Sequence, residues 1–152
     1  MKERVIILTI FLITGCCVIT TAQTRLSREE NLFRTYFDSA PRPAMDSNPS
    51  RYHFAGADLA KFKKDSVSLS RGIALLKMGK PAAALPHFQR SVENMKNYVS
   101  NASEWYLALT FLKLKKTEQA AYLFHKVAET EIHPYQNEAE VIYQRLTRPG
   151  KR

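Results

Sequence analysis

The chain has 152 residues, with 23 Lys and Arg against 14 Asp and Glu, a formal charge of +9, and 45% hydrophobic residues. That length suits one domain with its own core, and a charged share of 24% excludes wholesale disorder. Five glycines exclude a collagen-like chain. The two cysteines, Cys16 and Cys17, are adjacent and N-terminal, so the body after them has neither a disulfide framework nor a cysteine metal site.

Met1-Lys2-Glu3-Arg4 is a short net-basic start, and Val5–Ile13 (VIILTIFLI) follows it, apolar apart from Thr9. A basic start, a short apolar run and a small-residue exit predict a secretory signal over residues 1–22. Its processing has three readings. Ile13-Thr14-Gly15-Cys16 is similar to a bacterial lipobox, which would lipidate Cys16. Thr20-Thr21-Ala22 suits cleavage after Ala22, and the 18 uncharged residues Val5–Ala22 are just long enough for an uncleaved anchor. All three place the body outside the cytoplasm, on the periplasmic side of a bacterial envelope or secreted. Without residues 1–22, which carry Lys2, Arg4 and Glu3, the formal charge is +8. That balance favours acidic or anionic partners, phospholipid headgroups included. The absence of an Arg/Lys block or of aromatic-basic interleaving argues against nucleic acid.

Residues 23–56 are predicted to hold one helix and a linker. Ser27-Arg28-Glu29-Glu30 is a capping box, with Ser27 as N-cap and Glu30 reaching back. Leu32, Phe33, Tyr36 and Phe37 then fall on one helical face, and Pro41 and Pro43 require a stop by Ala40. From about Ala57 the helical period returns and runs to residue 147. Residues 148–152 form a short basic tail expected to be disordered.

Within 57–147 the chain matches itself at an offset of 36 residues. Gly72 meets Ala108, Leu75 meets Phe111, Leu76 meets Leu112 and Lys77 meets Lys113. Ala84 meets Ala120, and Phe88 meets Phe124. Small residues recurring among large apolar ones at a fixed period of this size signal stacked helical repeats. Asn101 with Glu104 predicts a second boxed cap, and Thr117 can cap the helix that holds Ala120 and Phe124. Pro81 suits a first helical turn, whereas Pro86 should kink its helix. Pro134–Leu146 predicts a last helix burying Tyr135, Ala139, Ile142, Tyr143 and Leu146, which would close the apolar end of the array.

These units resemble tetratricopeptide repeats (TPRs), helix–turn–helix modules of about 34 residues. The first, from about Asp65 to Asn97, carries Gly72, Leu75, the turn Gly79, Ala84 and Phe88. The second, from about Asn101 to Pro134, carries Leu107-Ala108, Phe111, Ala120, Phe124 and Pro134. Trp105 stands one place from the usual early Trp, Lys115 replaces the second turn glycine and Ser91 a usual alanine. The resemblance implies an all-α fold of about two repeats, with a flanking helix before and a capping helix after. It implies repeat packing through Gly72, Leu75, Ala84, Phe88, Ala108, Phe111, Ala120 and Phe124. It also implies a concave groove lined by the first helix of each pair, with Leu69, Ile73 and Lys77 from one repeat and Trp105, Leu109 and Lys113 from the other as partner-binding residues. Lys77 and Lys113 would form a basic rim or be simply two solvated lysines beside a turn. The apolar lining is either open to a partner or in part covered by the N-terminal helix. That helix, with Tyr52–Phe62, is expected to pack at the end of the array opposite the capping helix. More narrowly, Leu32-Phe33-Arg34-Thr35-Tyr36-Phe37, Arg51, Trp105-Tyr106-Leu107-Ala108-Leu109 and the tail from His133-Pro134-Tyr135 are similar to Bacteroidota envelope TPR proteins, of which longer members carry an anti-sigma-like segment.

Catalytic chemistry is not legible. His53, His87, His125 and His133 include no pair at metal-ligand spacing and read as surface or capping residues. No nucleophile elbow, phosphate-binding glycine loop or zincin motif occurs. The sequence therefore predicts a non-enzymatic interaction module without metal or cofactor, docking a protein or peptide partner, acidic ones included, in its groove. An accessory role in a membrane signalling system and an enzyme with an unreadable site are the alternatives.

Overall fold

A computed structural model of the chain describes residues 26–39, 56–92 and 98–148. The signal segment with Cys16, the Pro-rich linker and the end of the basic tail lie outside the described residues. Six helices are described: α1 (Arg28–Ser39), α2 (Gly56–Lys77), α3 (Pro81–Val92), α4 (Tyr98–Lys113), α5 (Thr117–Glu129) and α6 (Gln136–Thr147). There is no strand among the described residues, and the fold is all-α. Each helix packs on the next from α2 to α6, while α1 lies against α4.

The two helix–turn–helix joints are equivalent at the 36-residue offset. At the end of α2 the Gly79 N–H donates to Leu76 O at 3.0 Å and the Lys80 N–H to Leu75 O at 2.9 Å. At the end of α4 the Lys115 N–H donates to Leu112 O and the Lys116 N–H to Phe111 O, both at 2.9 Å. Each is a Schellman cap, which satisfies otherwise orphaned carbonyls and needs one left-handed residue. That residue is Gly79 in one joint (φ 70°) and Lys115 in the other (φ 58°). Pro81 then opens α3, where a missing N–H costs nothing.

Packing within the pairs follows the same register. Gly72 and Ala108, Leu76 and Leu112, Ala84 and Ala120, Phe88 and Phe124 are all buried, whereas Leu75 and Phe111 are both half-buried. Phe88 lies so close over Gly72 that a Cβ there would stand 2.5 Å from the ring, so only glycine admits this approach. Ser91 bridges α3 to α2, its hydroxyl donating to Asp65 O at 3.2 Å. Burial of each phenyl ring contributes on the order of 2–3 kcal/mol.

Several local expectations differ. Helix α2 runs unbroken through Asp65 from Gly56, nine residues earlier than the repeat register begins. Helix α4 starts at Tyr98, so Asn101 lies inside it rather than capping it. Helix α5 has Lys116 at its N-cap, and the Thr117 hydroxyl donates to Glu29 Oε1 at 3.3 Å instead. Helix α6 begins at Gln136, with Tyr135 at the N-cap and Pro134 one residue further out. Of its expected stripe, Tyr135, Ala139 and Ile142 are buried, and Tyr143 and Leu146 are half-buried. Helix α3 continues past Pro86, which is exposed.

Candidate binding groove

Helix α4 is the centre of the molecule. Its residues 102–110 are buried without interruption, the pattern of a helix covered on every side. Trp105 stacks on Tyr135 (centroids 4.7 Å) and takes Phe124 edge-on at 5.5 Å. Tyr106, one residue on, stacks on Phe88 at 5.8 Å. The capping helix and both second helices of the pairs therefore converge on one dipeptide.

The remaining side of α4 receives α1. The two helices run antiparallel, since Glu30 meets Lys113 while Phe37 meets Tyr106. Leu32 and Phe33 are buried, and Tyr36 and Phe37 are half-buried. Tyr36 approaches Trp105 edge-on at 6.4 Å, and Phe37 approaches Tyr106 edge-on at 6.0 Å. Lys113 Nζ sits 4.8 Å from the Phe33 ring centroid and donates to both Glu30 carboxylate oxygens at 2.7 Å. The ammonium is thus held by a cation–π contact and a bidentate ion pair.

Electrostatics reinforce this seat. The Lys113 hydrogen bonds hold the Glu30 carboxyl below the ordinary carboxylate range against the opposing effect of burial, with Arg34 at 3.0 Å helping. Glu29 is also lowered, first by its own amide and then by the Ser27 and Thr117 hydroxyls. Ser27 does cap α1, accepting from the Glu30 N–H at 3.2 Å. The Glu30 side chain points to Lys113, on another helix, which is a contact no local capping rule predicts.

The six residues expected to bind a partner divide between surroundings. Trp105 (1% exposed) and Leu109 (0%) are buried at the centre, and Lys113 is engaged by α1. On α2, Leu69 is buried, Ile73 is half-buried and Lys77 is exposed. The two lysines related by the 36-residue offset thus have different environments: Lys113 is paired across helices, and Lys77 faces solvent. Two residues apart on a helix is about 200°, so Leu107 and Phe111 face away from Leu109 and Lys113. There, with Tyr122 and Leu123, they line an open apolar groove of about 400 Å³.

His133, expected as a surface or capping residue, is 5% exposed, and its contact is of the capping kind. Its Nδ1 accepts the Tyr135 N–H at 3.2 Å, and burial lowers its pKa against the opposing influence of Glu104 and the Asn101 backbone. It shapes the turn that aims Tyr135 at Trp105. Glu104 itself pairs with Lys126 rather than capping α4. Among the described residues no cluster of three or more His, Cys, Asp or Glu is placed to hold a metal. Nor is any described helix long and apolar enough to cross a membrane.

No family model, curated protein or solved structure matches this chain.

Proposed function

We propose that this chain is a non-enzymatic TPR-like interaction module of the bacterial envelope, whose concave groove on α4 takes an amphipathic acidic helix. The observation that carries this reading is α1 itself. It presents Tyr36 to Trp105, Phe37 to Tyr106, and Phe33 with an acid, Glu30, to Lys113, with Leu32 buried beside them. The groove therefore accepts a helix with apolar residues at one-turn spacing and a carboxylate about one turn before them, the helix-in-groove mode of recognition. The equivalent joints at Gly79 and Lys115 support the repeat reading, and residues 1–22 support the envelope address.

In this mechanism α1 is the resident occupant, tethered through residues 40–55, and a partner helix competes with it. Exchange costs the partner its ordering entropy and the high local concentration of a tethered competitor. Trp105, Leu109 and Lys113 form the seat, and Ile73 with Lys77 extend it along α2.

A labelled peptide of residues 26–39 tests the seat in trans. Full-length Phe33→Ala/Phe37→Ala, which weakens the resident helix, should bind the peptide with at least about tenfold higher affinity than wild type. Adding Lys113→Glu to that variant should abolish the gain. Equal binding by all three proteins, with helicity retained, would remove α4 as the docking surface.

A further inference from the structure

Where α1 begins and α6 ends, an open cleft of about 530 Å³ is lined by Leu26, Arg28, Asn31, Leu32, Arg145 and Arg148. We propose that this cleft seats the phosphate headgroups of anionic phospholipids at the membrane that holds the chain; the inference rests on the reading of residues 1–22 as a membrane attachment.

Charge is the first argument. Lys113, Arg34 and Lys126 are held in ion pairs, whereas none of the three cleft arginines lies within ion-pair distance of a carboxylate among the described residues. Glu30, next to Asn31, is taken by Lys113 and Arg34, and Glu29 accepts from Thr117 while also feeling the charge of Arg28. The guanidiniums are also partly fixed. Arg28 Nη2 donates to Arg148 O at 3.3 Å, and Arg148 Nη2 donates to Gln144 Oε1 at 3.1 Å. Those bonds orient two planar forks while leaving further N–H donors, and such forks match phosphate oxygens in pairs.

Place is the second argument. Leu26, at the lip of the cleft, is 40% exposed and lies four residues after Ala22, the end of the predicted signal segment. Four residues span at most about 14 Å, and the headgroup layer on one side of a bilayer is roughly 5–7 Å deep. An inserted Val5–Ala22 thus holds the cleft at or just outside headgroup depth. With Cys16 acylated, ten residues still bring it within about 35 Å of the membrane. An apolar lip beside unpaired arginines, carried on so short a tether, fits a lipid surface better than a dissolved anion.

The test uses the full chain reconstituted into phosphatidylcholine vesicles with or without phosphatidylglycerol, read by hydrogen exchange. Amides of residues 26–32 and 144–148 should exchange at least about fivefold more slowly with phosphatidylglycerol, the weight of a single basic residue near an anionic surface. The protection should vanish in Arg145→Gln/Arg148→Gln, with α4 and α5 protected equally in both proteins as the control for folding. Equal exchange with both lipids, while the chain remains on the vesicles, would overturn the headgroup site alone. Protection reproduced by inorganic phosphate on phosphatidylcholine vesicles would make it a free-anion site and overturn the lipid assignment. A chain absent from both vesicle fractions would overturn the attachment reading and the inference with it.

Discussion

Gly72 and Ala108 occupy the same place in the two helix pairs, yet they are not interchangeable. At Gly72 a Cβ would press to 2.5 and 2.7 Å on ring atoms of Phe88. That ring is fully buried and stacked on Tyr106, so it cannot swing away. Gly72→Ala should therefore destabilise the protein by about 1–3 kcal/mol despite alanine's better helix propensity, measurable by urea unfolding. His133 supplies a second residue-scale test. Its folded pKa lies below the ordinary 6.5 because burial disfavours the imidazolium. The unfolded chain then takes up the proton first, so the neutral ring's contribution is complete above about pH 6.5 and declines as the pH falls below it. His133→Asn keeps an acceptor for the Tyr135 N–H and removes the titration. Its melting temperature should fall less than that of wild type between about pH 7 and pH 5, as followed by circular dichroism. Glu30, lowered by Lys113, acts at a more acid range, losing its contribution as the pH falls through its depressed value.

At the scale of elements, the joints were legible and the helix starts less so. Pro81 and Gly79 mark one joint by residue type alone, and the offset of 36 transfers it to Lys115 and Lys116 even though no glycine stands there. That transfer carries a cost, because a lysine at φ 58° places its Cβ against the backbone. Lys115→Gly should relieve it and stabilise the protein by about 0.5–1 kcal/mol, raising the urea midpoint without changing the slope. The N-termini misled because the acids and hydroxyls that look like caps are used over long range. Glu104 pairs with Lys126, Thr117 donates to Glu29, and the Glu30 carboxylate goes to Lys113. Ser27 succeeded as a cap because its bond is local. The burial of His133 was not legible: a lone histidine in a Pro-containing turn carries no mark of burial, and only the convergence of α4, α5 and α6 encloses it.

For the whole molecule, periodicity was enough to give the all-α class and the helical stretches of the body, but not the burial of α4 on every side. What periodicity could not give was the location of α1. An amphipathic helix separated from the body by a Pro-rich stretch can pack at either end of an array, over its groove or not at all. The choice rests on contacts between residues 83 positions apart, Glu30 and Lys113, and on aromatic edges meeting Trp105 and Tyr106. The same contacts redefine the groove residues: Trp105 and Leu109 are the floor of an occupied seat, and Lys113 is its charged stop. Helix α1 and its place on α4 form one packed unit, and under the proposed function α1 is also a template for what else would bind there.

Hydrogen exchange on the full chain tests that central point most directly. The amides of residues 32–37 should be protected in wild type. They should exchange at least about tenfold faster in Lys113→Glu, which sets two carboxylates against each other in a partly buried site. The charge-reversed Glu30→Lys/Lys113→Glu protein should recover most of the protection, with α4 and α5 unchanged throughout. Residues 32–37 exchanging at the rate of an unstructured peptide in wild type, or showing the same protection in all three proteins, would contradict the seating of α1 by Glu30 and Lys113.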